Sequence, residues 1–210
     1  MSRKFVYFFG ADRTEGNESM THLLGGKGAN LGTMSSLGID VPPGFTITTE
    51  ACREYFENKN RFSEGLWDEI QRNLGILEEV MDKQLGSRTQ PLLVSVRSGA
   101  NVSMPGMMDT VINLGLNDNT LSCLADNTHN ERFALDCYRR FISMFGNVVL
   151  GIEWTKFESV LTKQKTLRKV KFDTDLEIKD IKSIIQKFKN IVKKSTKKNF
   201  PDDPRSQLRL

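Results

Sequence analysis

An α+β fold is predicted from three observations in this 210-residue chain. Short runs of β-branched and aromatic residues, of strand length, occur within the first 118 residues. Three amphipathic patterns of helical period follow one another after that point, separated by short polar breaks. Glycine and proline clusters stand between the strand-like runs, where the chain must turn.

The elements are read in order. Phe5 to Phe9 forms a first strand. His22 to Gly38 passes through Gly25, Gly26, Lys27 and Gly28 into a helix whose apolar positions Leu31, Met34 and Leu37 recur at spacing three. Thr49 to Phe56 and Trp67 to Gln84 read as two further helices. Leu92 to Val96 reads as a buried strand, and Ser98, Gly99, Ala100 and Asn101 then carry the chain out as a loop of small side chains that let backbone N–H groups approach an anion. After Pro105 and Gly106, the run Met107 to Leu114 reads as a returning strand that includes Asp109. Asn130 to Phe145 then places Phe133, Ala134, Cys137, Tyr138, Phe141, Ile142 and Phe145 on one broad helical face. Trp154 to Leu167 is a shorter helix with Phe157, Val160 and Leu161 inward. Thr174 with Glu177 three residues later forms a capping box for a third helix, striped by Ile178, Ile181, Ile184, Ile185, Phe188, Ile191 and Val192. Those three helices are expected to form a small antiparallel cluster. The expected division is an N-terminal lobe over 1–118, a helical subdomain over 119–199 and the start of a further segment over 200–210.

Two segments have the chemistry of an anion site. Arg97 stands between a strand and a loop of small residues, the layout of a flap over a phosphate, and its guanidinium can fork two oxygens. Lys27 stands where a helix begins, and a helix N-terminus carries partial positive charge and free N–H groups. This is not a Walker loop, since Gly28 occupies the position that requires Ser or Thr. On spacing alone, Lys27 reads equally as an exposed cation in a glycine turn, and Arg97 as half of an ion pair. The glycines Gly25, Gly26 and Gly28 can equally be plain turn residues.

Two long blocks alter that balance. Leu23 to Cys52, LLGGKGANLGTMSSLGIDVPPGFTITTEAC, and Leu92 to Asp118, LLVSVRSGANVSMPGMMDTVINLGLND, resemble the N-terminal region of the pyruvate, phosphate dikinase family. The likeness continues through ERFALDCYRRFISMFGNVVLG, FDTDL and FPDDPRSQLRL. Phosphoenolpyruvate synthases resemble the chain more distantly. The resemblance implies the N-terminal part of an ATP-grasp type nucleotide-binding domain, here with the three-helix cluster inserted. It implies an enzyme that turns ATP, phosphate and pyruvate into AMP, diphosphate and phosphoenolpyruvate, with Mg²⁺ and a monovalent cation. A phosphohistidine on a swivelling domain carries the phosphoryl group in that family. By motif, Lys27 and Arg97 become ATP-phosphate contacts and Gly106 part of the loop that covers the nucleotide. Gly25, Gly26, Gly28, Ser98, Gly99 and Asp109 become its supporting loop residues.

Length and composition limit the rest. The chain is several times shorter than the family enzyme, so it is expected to be an N-terminal fragment without the phosphohistidine and pyruvate domains, and inactive alone. Asp203 as N-cap and Pro204 at the first helical position begin a helix of fewer than two turns, which needs partners to persist. His22 and His129 read as solvent-facing loop residues with no catalytic role, and no metal ligands are expected within the chain. Cys52, Cys123 and Cys137 lack metal-ligand spacing and fit reduced thiols in a cytoplasmic protein. No signal sequence and no membrane span are evident. Residues 163–210 carry 15 Lys and Arg against 6 Asp and Glu. Those lysines flank an apolar stripe as solvated faces do, so nucleic acid is not an expected partner. The expected partners are a nucleotide and the missing C-terminal part of the enzyme, full-length members being usually homodimeric. The alternative is a split or degenerate gene product that binds at most a nucleotide or a partner.

Overall fold

The structure is a computed structural model and describes residues 3–99 and 109–210. The chain folds into two compact units. Residues up to 83 and the segment from Ser98 belong to unit 1, and residues 84–97 and 109–210 belong to unit 2.

Unit 1 is built around β1 (Val6–Phe9), which pairs antiparallel with β2 (Gly44–Ile47), Val6 standing opposite Ile47 and Phe9 opposite Gly44. Val6 and Phe8 are fully buried. The outer edge of β1 is covered by carboxylates. Glu69 accepts the N–H groups of Phe5 and Val6 at 2.8 and 2.9 Å, and Glu15 accepts that of Phe8 at 2.8 Å. Charge placed along a strand edge in this way discourages pairing with a foreign strand. α1 (Thr21–Ser36) packs on the pair and on α2 (Thr49–Glu57), and α3 (Leu66–Met81) packs on the pair as well. Thr48 caps α2 by accepting the Ala51 N–H at 3.2 Å. The helix expected over 67–84 stops at Met81, because Asp82 takes the left-handed conformation (φ 49°) that ends a helix.

The face that α1 buries differs from the expected one. Leu37 is 72% exposed and Met34 40% exposed, whereas Leu24, Gly25, Gly28, Ala29 and Gly32 are buried. A helix can approach a neighbour this closely only where side chains are absent. A methyl group on Gly32 would lie 2.4 Å from the Gly16 carbonyl oxygen, and one on Gly28 2.7 Å from the Thr46 side chain.

Unit 2 begins with β3 (Gln84–Leu85), which pairs in parallel with β4 (Pro91–Leu92). β5 (Val94–Arg97) pairs antiparallel with β6 (Thr110–Leu114), with a bulge between Val94 and Val96. The strand expected to be buried over 92–96 is therefore broken at Leu93. Leu92 is buried, but Ser95, Val96 and Arg97 are exposed, because β5 has a ladder partner on one side only among the described residues. α4 (Asp118–Thr128) follows, capped by Asn117, whose side chain accepts the N–H groups of Asn119 and Thr120.

Next come α5 (Glu131–Val148), α6 (Trp154–Arg168), α7 (Ile178–Thr196) and α8 (Pro204–Arg209). α5 is the centre of the unit and packs on α4, α6, α7 and β6. Tyr138, Phe141, Ile142 and Phe145 on α5 and Ile181, Ile184, Phe188 and Val192 on α7 are buried, as the periodicity predicts. Phe133 and Ile178 lie outside that core, 47% and 37% exposed.

The start of α7 also differs from the expected capping box at Thr174. Residues Asp173–Asp175 form a separate 3₁₀ turn, and Glu177 is the N-cap. The cause is Asp180, a fully buried carboxylate. One of its oxygens accepts from Arg168 Nε at 2.5 Å and Gln164 Nε2 at 2.9 Å, and the other from the Glu177 N–H at 3.3 Å. Burial alone would raise the Asp180 pKa, but the bonds from Arg168, Gln164 and Glu177 outweigh it and hold it below the usual carboxylate range. A depressed folded-state pKa contributes stability above the unfolded value, about 3.9, that is lost as pH falls through the folded value. Thermal melts of the wild type should therefore drop in Tm below about pH 4. Asp180→Asn should lower stability at pH 7 by about 1.5–3 kcal/mol and flatten that acid dependence; an unchanged acid limb would show that other carboxylates set it.

The C-terminal segment is docked onto unit 2. Phe200 lies edge-on to Phe141 and Phe145, with ring centroids 5.6 and 5.5 Å away. Asp203 caps α8 by accepting the Ser206 N–H at 2.8 Å, and Pro204 occupies its first turn, both as predicted. A six-residue helix persists here because buried Pro204 and Gln207 give it tertiary partners.

Candidate functional site

The glycine segment of unit 1 is shaped by Gly25. Its backbone (φ 69°, ψ 165°) lies in a region essentially confined to glycine, and it breaks α1 into two helical stretches. Helix restarts at Gly26, so Gly26, Lys27 and Gly28 form a first turn. N–H groups of a first turn lack carbonyls one turn back, and the helix dipole favours an anion beside them. Gly26 and Gly28 are thus helical rather than loop residues. Gly28 is required by its contact with Thr46, a role that the sequence pattern does not reveal. Lys27 is exposed and forms no ion pair among the described residues.

In unit 2, Arg97 is the last residue of β5 and stands opposite Thr110, the first residue of β6. The order of strand, arginine, connection and returning strand is the one predicted. Arg97 is exposed, and no carboxylate lies within ion-pair range of it among the described residues. The bland reading of Arg97 as half of an ion pair thus finds no partner there. Ser98 and Gly99 continue the chain, both exposed, and a methyl group on Gly99 would meet nothing within 4 Å among the described residues. Asp109, also exposed, immediately precedes β6. Gly106 lies outside the described residues, as do Met104, Met107 and Met108.

The structure brings the predicted residues into two groups. Gly25, Gly26, Lys27 and Gly28 lie together on α1 in unit 1; Arg97 and Asp109 lie together at one end of the β5–β6 pair in unit 2. Among the described residues no group of three or more His, Cys, Asp or Glu could hold a metal ion. His22 is exposed on the first turn of α1, and His129 is exposed as the left-handed cap of α4 (φ 50°). Sequence reasoning missed Thr46 and the side chains Asn117 and Gln207 that hold the turn after β6. A glutamine in a short capped helix carries no periodic signal, so nothing in the pattern marks it.

Residues 21–79 match the family model described as pyruvate phosphate dikinase, AMP/ATP-binding domain. The chain is 53% identical over 99% of its length to a chloroplastic pyruvate, phosphate dikinase of Mesembryanthemum crystallinum and 51% identical over all of it to one of Flaveria trinervia. It is 49% identical over its whole length to pyruvate, phosphate dikinase 2 of Zea mays. The chain spans 22% of the first two relatives and 24% of the third. With about half of its residues identical from end to end, and with the domain model falling on α1 to α3, the chain belongs to the pyruvate, phosphate dikinase family and corresponds to an AMP/ATP-binding portion of it.

Proposed function

We propose that the chain binds ATP by its phosphates, with Lys27 and Arg97 as the charged contacts and Gly106 in a loop that covers the nucleotide. The observation that carries this reading is that both cations are exposed, each beside a glycine-containing backbone segment, and neither forms an ion pair among the described residues. A cation beside a glycine-containing backbone segment and without a paired carboxylate gains most when an anion arrives. Phosphoryl transfer asks a protein mainly for positioning and charge neutralisation, which a fork-shaped guanidinium, a point-charge ammonium and backbone N–H groups supply. Gly25, Gly26, Gly28, Ser98, Gly99 and Asp109 shape the two segments around the phosphates.

The proposal extends to an ATP-grasp type lobe over 1–118, an inserted helical subdomain over 119–199 and the start of a further segment over 200–210. Mg²⁺ accompanies the nucleotide and neutralises phosphate charge, held chiefly by the phosphates themselves. Phosphoenolpyruvate synthesis requires the remainder of a family polypeptide as partner, since the chain spans 22% of its relatives. A cytoplasmic setting is part of the same reading, supported by three free cysteines. No helix among the described residues is long and apolar enough to cross a membrane.

Calorimetric titration of Mg²⁺-ATP into the chain tests the reading. Saturable binding in the millimolar range is expected, about −4 kcal/mol. Lys27→Ala and Arg97→Ala should each weaken it at least about tenfold, the worth of a charge-assisted hydrogen bond, with unchanged melting. Undiminished affinity in either variant would remove that residue from the site.

A further inference from the structure

The geometry points to Gln207 as a positioning residue for Arg97, acting through the turn that follows β6; this rests on the reading of Arg97 as an ATP-phosphate contact. Gln207 is 2% exposed, and its amide is fully engaged. Its Oε1 accepts the Gly115 N–H at 3.0 Å, and its Nε2 donates to the Leu116 carbonyl at 3.0 Å and the Pro201 carbonyl at 2.8 Å. Asn117 adds a bond from its Nδ2 to the Asp202 carbonyl at 2.8 Å. Residues 201–207 thus hold three consecutive residues, Gly115 to Asn117, directly after β6.

That anchorage matters because the β5–β6 ladder does not fix its own register well. A bulge falls between Val94 and Val96, and within β6 Asn113 takes a left-handed conformation (φ 60°). β5 is mostly exposed, so no buried stripe on it penalises a slip by one residue. β6 is seated by buried Val111 and Leu114, so the placing of β5 on it turns on how the ends of the pair are held. One end is Arg97 opposite Thr110, where the chain leaves for the nine residues between Gly99 and Asp109. The other is Gly115, packed so closely that a methyl group on it would lie 2.8 Å from the Leu92 carbonyl oxygen. Gln207 bonds that second end through both its N–H partner and the next carbonyl, which fixes β6 along its axis. Because β5 takes its register from β6, the clamp determines where the Arg97 guanidinium stands.

Gln207→Glu tests this, since a carboxylate of the same shape can still accept from Gly115 but cannot donate to Leu116 or Pro201. Ile184→Val, a truncation in the α7 core, serves as a destabilised control. Hydrogen exchange of the Val94 to Arg97 and Thr110 to Leu114 amides is followed in both, with Mg²⁺-ATP titrated into each. Gln207→Glu should speed exchange of those amides about tenfold beyond the control at matched stability, the loss of one or two hydrogen bonds, and weaken ATP. Equal exchange in the two variants would overturn the inference. Failure of the wild type to bind ATP would instead reject the nucleotide reading of Arg97, while the exchange comparison would still decide whether Gln207 sets the hairpin. Exchange in the wild type gives a second measure if Gln207→Glu does not fold. The Gly115 amide should open in the same event as the hairpin amides, and independent opening would overturn the inference.

Discussion

Replacing Phe200 by alanine is expected to destabilise unit 2 by about 3–5 kcal/mol, the usual cost of deleting a buried aromatic ring. Phe200 is 4% exposed and lies edge-on to three rings of α5, those of Tyr138, Phe141 and Phe145. Edge-to-face pairs add to plain burial, because each ring's positive edge meets a negative face. The cavity would open on the central helix, so it should be felt throughout the unit. Domains of this size have total stabilities of about 5–15 kcal/mol, so the loss would be a large share of the whole. Urea unfolding followed by circular dichroism measures it. A loss below about 1 kcal/mol would mean that residues 200–210 are a loosely attached tail, since a ring removed from a packed core costs more than that.

Gly32→Ala should also destabilise the chain, by about 1–3 kcal/mol, as overpacking does. Alanine is ordinarily the better helix former, by about 1 kcal/mol. Here its methyl group would lie 2.4 Å from one backbone oxygen and 2.7 Å from the carbonyl carbon of Gly16, atoms that cannot rotate away. α1 would have to move off the 16–17 loop. Gly75 in α3 supplies the contrast, because a methyl group there meets nothing within 4 Å. Gly75→Ala should stabilise by about 0.5–1 kcal/mol. The same chemical change with opposite signs would establish that α1 packs by its glycines; stabilisation by both would contradict it.

Those two residues mark where the sequence is legible and where it is not. The helices of unit 2 are readable because large side chains recur on one face, and the Asp203–Pro204 start of α8 because capping chemistry is local. α1 misleads because its packing face is built mainly of glycines and Ala29, so periodicity picks out Leu31, Met34 and Leu37, of which the last two are exposed. The start of α7 misleads because buried Asp180 moves the cap to Glu177, and burial of a charge cannot be seen in a pattern. The two-residue strands β3 and β4 are too short to carry a period. Of the proposed site, Lys27 and Arg97 are picked out in the sequence by their neighbours and by family resemblance. The roles of Gly28 against Thr46, and of Gln207 at Gly115, depend on contacts between distant residues.

The most direct test of ATP binding at these two segments is NMR of the isotope-labelled chain during Mg²⁺-ATP titration. Phosphate binding there predicts saturable shifts of the Gly26, Lys27 and Gly28 amides and of the Arg97, Ser98 and Gly99 amides, with the Arg97 Nε–H among the largest. A folded chain whose amides at both segments stay unmoved up to about ten millimolar ATP, well above the expected Kd, would contradict it.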